Sequence, residues 1–98
     1  MIGEKVIIRT YSAGVFFGTL EEKAGNEVII RDARRLWRWW AKTSITLSAV
    51  ANYGVKDDKE KTKLPAPVER IWLEAIEILS CTKEAIESIE GQPNAEAS

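Results

Sequence analysis

The 98-residue chain contains no histidine, and Cys81 is its single cysteine. An internal disulfide is therefore impossible, and a Cys/His zinc site within one chain is excluded. Histidine-based triads and histidine acid–base chemistry go with them. Long apolar runs are missing too. Val6–Ile8 and Ala13–Phe17 fall far short of the ~18–20 residues that a bilayer span needs. Met1–Val6 has no apolar stretch leading to a small-residue cleavage site, so no signal peptide is expected. Carboxylate-only chemistry stays open, but no motif for it appears. The expectation is a binding protein rather than an enzyme, with no metal and no cofactor.

What is present is ordinary globular composition, 45 % hydrophobic and 30 % charged, in a chain the size of one small domain. The expected domain covers residues 1–91, followed by a polar, flexible tail that frays over 92–98. A formal net charge of −1 hides a segregation. Residues 31–42 carry Arg31, Arg34, Arg35, Arg38 and Lys42 against Asp32, whereas residues 69–98 carry Arg70 and Lys83 against a series of glutamates. Duplex nucleic acid would need a broad basic face, which this chain lacks. A compact anion would need only a pocket.

The β-branched run Val6-Ile7-Ile8 marks a first strand over Glu4–Arg9. Tyr11–Gly14 breaks it, and Val15–Leu20 restarts the pattern. Gly18 inside that second strand suggests a bulge or a close approach of another backbone. Ala24-Gly25-Asn26 is a tight turn, and Glu27–Arg31 is a third strand, so the three form an antiparallel meander. Ala33–Trp40 reads two ways. As a helix, Ala33, Leu36, Trp37 and Trp40 share a face. As a strand, Arg35, Trp37 and Trp39 share one face, and Arg34, Leu36, Arg38 and Trp40 the other. The tryptophans tilt the reading to strand. Thr46–Tyr53 reads as a short helix, capped by Thr46 and stopped by Gly54. Val55–Thr62 is a charged loop, and Pro65 and Pro67 limit Lys63–Val68 to an edge strand at most. Glu69–Leu79 also fits helix or strand. Thr82 decides it: with Glu84 close behind, it looks like the N-cap of a helix over Lys83–Glu90, which leaves Glu69–Leu79 as strand. The expected fold is α+β: a small, mostly antiparallel sheet of five to six strands with two short helices, in an oligomer.

Four constellations stand out. Arg9-Thr10-Tyr11-Ser12-Ala13-Gly14 sets a cation, two hydroxyls and an aromatic at a turn, where backbone N–H groups and a glycine suit a phosphate. The spacing matches no P-loop or dinucleotide fingerprint, and a plain hairpin with a half-buried Tyr11 is the simpler reading. Ala33–Trp40 packs three arginines and three tryptophans into eight residues. Guanidinium binds phosphate as a fork, and indole stacks on bases. The same residues also suit a buried or intersubunit aromatic cluster. Asn52-Tyr53-Gly54 places an aromatic before a lysine-rich loop, or is simply a capped helix end. The glutamates of residues 69–90 form a solvated acidic face, in which Arg70 stands alone as a ligand contact.

Taken together, Arg9-Thr-Tyr-Ser-Ala-Gly-Val, Ala33-Arg-Arg-Leu-Trp-x-Trp, Thr46-Leu-Ser with Gly54-Val, and Ala75-Ile-Glu-Ile-Leu-x-Cys-Thr resemble the first-described Thoeris anti-defence family of phage sponge proteins. The resemblance spans roughly residues 6–90. It implies binding and sequestration, without degradation, of the glycocyclic ADP-ribose signal (1″–2′ or 1″–3′ linked) made by a TIR enzyme. Effector activation would then be blocked in the cytoplasm of the infected bacterial host. It also implies a homodimer or larger homo-oligomer, up to a hexamer, with cyclic oligonucleotides held at a separate site. Arg9, Tyr11, Ser12, Arg34, Arg35 and Trp37 lie in the matching blocks. Tyr53 and Arg70 join them by chemistry and position. The Trp39-Trp40 doublet and the Lys56–Lys63 loop depart from the family pattern. The alternative is a single-stranded nucleic-acid module built on the Arg/Trp block.

Overall fold

A computed structural model describes residues 1–37, 39, 41, 46–57 and 62–95. Its elements are β1 (Lys5–Thr10), β2 (Val15–Ala24), β3 (Glu27–Arg35), α1 (Leu47–Tyr53), β4 (Val68–Ser80) and α2 (Lys83–Glu90). The four strands close an antiparallel barrel in the order β1-β2-β3-β4. The three-strand meander and both helices follow the sequence reading. Among the described residues the strand number is four rather than five to six, because residues expected to add strands extend existing ones.

Closure depends on β4. Its first half pairs with β3, from Ala33↔Val68 to Glu27↔Glu74. Its second half pairs with β1, from Thr10↔Ala75 to Val6↔Ser80. One long strand thus serves two partners and leaves no free edge. The expected separate strand over Ala33–Trp40 is instead the end of β3, which stops at Arg35. Arg38 and Trp40 lie outside the described residues. Between Pro65 and Pro67 no strand forms; Leu64 makes only an isolated bridge, to Asn94.

Gly18 combines both expected features. The β2–β3 register shifts between Phe17 and Thr19. Opposite it, Asp32 takes a left-handed backbone (φ 51°), a conformation that some bulges use and aspartate tolerates. A Cβ at position 18 would sit 2.9 Å from the Arg31 carbonyl oxygen and 3.2 Å from Ala33 Cα.

Alternation along the strands builds two cores. Val6, Ile8, Phe16, Leu20, Val28, Ile30 and Leu73 fill the barrel. Ile7 and Phe17 point outward into a second cluster with Leu36, Val50, Val55, Leu64 and Ile89. The helices lie over this outer cluster. Thr46 Oγ1 accepts from Ala49 N–H at 3.2 Å and Thr82 Oγ1 from Ala85 N–H at 3.1 Å, so both predicted N-caps are in place. Thr82 also donates to the Asn52 carbonyl at 2.6 Å, tying the two helices together. Among the described residues, no helix lies over the rest of the barrel's outer face, around Ile29 and Trp72.

Candidate functional site

The pleat of β3 separates two adjacent arginines. Arg34 lies beside Phe17, its cross-strand partner, and faces the outer core; Arg35 lies opposite Phe16. Arg34 is buried, only 4 % exposed. Its guanidinium donates to the carbonyls of Pro65 (2.9 Å), Ile89 (3.0 Å), Leu64 (3.2 Å) and Pro93 (2.9 Å), and to Asn94 Oδ1 (3.2 Å). Burial pulls its pKa below the ordinary value. All three of its guanidinium nitrogens donate to protein oxygens, so the expected ligand role for Arg34 gives way to a structural one. It gathers the 64–65 segment, the end of α2 and residues 93–94 around one cation. Residues 92–95, expected as part of a fraying tail, are therefore docked, and Ala95 N–H donates to the Leu64 carbonyl at 2.8 Å.

Arg35 is exposed and lies over the Phe16 ring, 4.8 Å from its centroid. Among the described residues it pairs with no carboxylate. Leu36 turns inward and is buried, and Trp37 turns out again, 56 % exposed. Alternation thus outlasts the strand by two residues. Arg35, Trp37, Pro65 and Ala95 line a hollow of about 260 Å³. A second hollow of about 280 Å³ shares Arg35 and Pro65 and runs over Phe16 and Ile71. Two walls of the first hollow, Pro65 and Ala95, are fixed through the Arg34 clasp. A free guanidinium beside an open indole can take a phosphate and a flat base at once.

The other expected residues do not join this cleft. Tyr11 (91 % exposed) and Ser12 sit together on the β1–β2 turn, beside a hollow of about 320 Å³ formed with Asn26, Trp72 and Ile76. Thr10 shapes that turn; its hydroxyl donates to the Gly14 carbonyl at 2.8 Å and accepts from Ala13 N–H at 2.9 Å. Arg9 is spent on Glu77 at 3.1 Å. Arg70 donates to Glu21 Oε1 at 2.9 Å, and that bond raises its pKa. Tyr53 is half-exposed at the end of α1. Sequence reasoning missed Pro65 and Ala95 as walls, which no local pattern marks. It also passed over Trp72, although as a strand residue Trp72 falls on the glutamate-bearing face.

Among the described residues no group of three or more Cys, Asp or Glu side chains is arranged to hold a metal ion, and no helix is long and apolar enough to cross a membrane. Burial pushes the Cys81 thiol up to about 12, so it is not a ready nucleophile.

Residues 3–89 match the family model described as Domain of unknown function (DUF6948). The chain belongs to this family. No curated protein and no solved structure matches it.

Proposed function

We propose that this DUF6948 protein binds and sequesters a cyclic ADP-ribose isomer without degrading it. The observation that carries the reading is Arg35: a cation with no carboxylate partner among the described residues, sharing a hollow with the exposed Trp37. A cyclic ADP-ribose offers a pyrophosphate, two riboses and an adenine. The Arg35 fork suits the pyrophosphate and the Trp37 face suits the adenine. The chain has no histidine to act as base, and the neutral Cys81 thiol has no driving force to attack. Such a site holds its ligand and leaves its bonds intact.

A hollow of about 260 Å³ is small beside the ~300–1,000 Å³ usual for ligand sites. A second copy closing over Trp37 would enlarge it and slow escape, the step through which affinity is mostly tuned. The reading therefore includes a homo-oligomer. It extends, on the Thoeris resemblance, to blocking immune signalling in the cytoplasm of an infected bacterium.

The test is calorimetric titration with glycocyclic ADP-ribose, followed by heat release and mass analysis of the ligand. Tight binding and an unaltered mass are expected. A cleaved product would establish a hydrolase instead. No heat, together with binding of short single strands that falls steeply with salt, would favour the nucleic-acid reading of the same Arg/Trp block.

A further inference from the structure

On the Ile29–Trp72 side of the barrel, which no helix covers among the described residues, lies an apolar groove. Glu22 pairs with Ile29 across β2–β3, and Ile29 with Trp72 across β3–β4. These three side chains form one row over three strands. Two residues further along, on the same face, Ala24 pairs with Glu27 and Glu27 with Glu74. Trp72 is 54 % exposed. A hollow of about 480 Å³, the roomiest described, lies along this row. Beyond Trp72 the surface continues past Ile76 to Tyr11.

The charge around the groove is unbalanced. Glu27 and Glu74 stand directly opposite each other on adjacent strands, an arrangement that repels. The barrel contains a like-charge pair of the other sign, Arg31↔Arg70. There the fold supplies a counter-ion: Glu21 Oε1 lies 2.9 Å from Arg70 and 3.8 Å from Arg31. Arg70 also lies close enough to Glu22 to feel its charge, but among the described residues no cation makes an ion pair with Glu27 or Glu74. Lys23, which lines the hollow, donates to the Gly25 carbonyl at 2.7 Å.

We infer that this groove docks an arginine side chain carried on a segment of a partner protein, its guanidinium on the Trp72 indole and its charge answered by Glu27 and Glu74. Arginine fits better than lysine. Its planar head stacks on an indole while its fork engages carboxylates, and its stem can cover Ile29. A protein segment fits better than a free small molecule. The groove is open on both sides of Trp72 and would bury little of a small ligand. It continues into apolar surface that a chain would cover, and tryptophan and arginine are the residues that anchor interfaces. This site is separate from the Arg35–Trp37 cleft and stands without the nucleotide reading.

The experiment follows the indole N–H signal of Trp72 in a 15N-labelled sample, identified by its loss in Trp72→Phe. The probe is a capped Gly-Arg-Gly-Arg-Gly peptide. A saturable shift is expected, with the lysine counterpart weaker and a citrulline counterpart silent. Glu27→Gln combined with Glu74→Gln should weaken binding about tenfold, as loss of a charge partner at an interface does. The inference is overturned by an unmoved Trp72 signal, by an equal response to the citrulline peptide, or by unchanged affinity in the double variant. Free arginine amide binding as well as the peptide would replace the protein segment with a small cation. A Trp72 shift on raising protein concentration alone would make the partner a second copy of this chain. Either result overturns the assignment as stated.

Discussion

Arg34 and Arg35 are consecutive in β3, and one is wrapped in five protein oxygens while the other lies over an aromatic ring with no carboxylate partner among the described residues. The strand pleat makes the division, sending neighbours to opposite faces. The two residues depend on each other functionally: the inner guanidinium fixes Pro65 and residues 93–94, and the outer one faces the hollow that Pro65 and Ala95 wall. Their substitutions should therefore separate.

Arg34→Met retains apolar bulk but strands the carbonyls of Pro65 and Pro93 and takes one of the donors from those of Leu64 and Ile89. Buried acceptors left without a donor cost ~1–3 kcal/mol. Part of this set can rehydrate, so a net loss of about 2–4 kcal/mol in urea unfolding is expected. Loss of the clasp should also free residues 92–95, seen as faster amide exchange at Ala95. An Arg34→Met protein with native stability would remove the clasp from the account.

Arg35→Ala should do the reverse. An exposed side chain with one ring contact contributes little to folding, so the urea midpoint should shift by no more than ~0.5 kcal/mol. If Arg35 holds the pyrophosphate, ligand affinity falls by ~1.5–3 kcal/mol, the usual worth of a hydrogen bond to a charged group. Equal calorimetric affinity for the two proteins would exclude Arg35 from the binding site.

These contrasts mark how far the sequence could be read. Alternation in Val6-Ile7-Ile8 and the caps at Thr46 and Thr82 are local signals, and local signals placed β1 and both helices. The Thr82 cap also resolved β4, because a helix starting there leaves no room for another just before it. The strand faces of residues 34–37 were legible, down to Arg34 and Leu36 on one side and Arg35 and Trp37 on the other. The burial of Arg34 was not. Its acceptors lie 30–60 residues away, and no spacing within Ala33–Trp40 announces them. Barrel closure was hidden for the same reason, since it depends on β4 finding β3 and β1 in turn. The length of β4, 13 residues against a usual ~5–6, was the one available hint.

Gly18 offers a test of the bulge. A methyl group there would press on the Arg31 carbonyl at 2.9 Å, and backbone on the opposite strand cannot swing aside as a side chain would. Gly18→Ala should destabilise by ~1–3 kcal/mol, the range for overpacking. It should also disturb amide signals at Arg31–Ala33 more than those of β1. Full stability in this variant would mean that β2 and β3 lie further apart at the bulge.

Cys81 carries a pH dependence of definite sign. The side chain packs against the outer core, and burial raises its pKa from the ordinary 9.0 to about 12. Below pH 9.0 the thiol is protonated in both folded and unfolded chains and contributes no slope. Between 9.0 and about 12 the unfolded chain releases the proton while the folded chain keeps it. The unfolded state then binds fewer protons, so stability falls as pH rises through this window. The contribution is read as a difference between two proteins. The urea stability of the native protein relative to Cys81→Ala should be constant up to about pH 9.0 and decline above it. Iodoacetamide at pH 8 should alkylate the folded chain far more slowly than the urea-unfolded chain, because only thiolate reacts. Parallel stability curves for the two proteins through the alkaline range, with rapid alkylation of the folded chain, would show that the thiol ionises as freely as one in water.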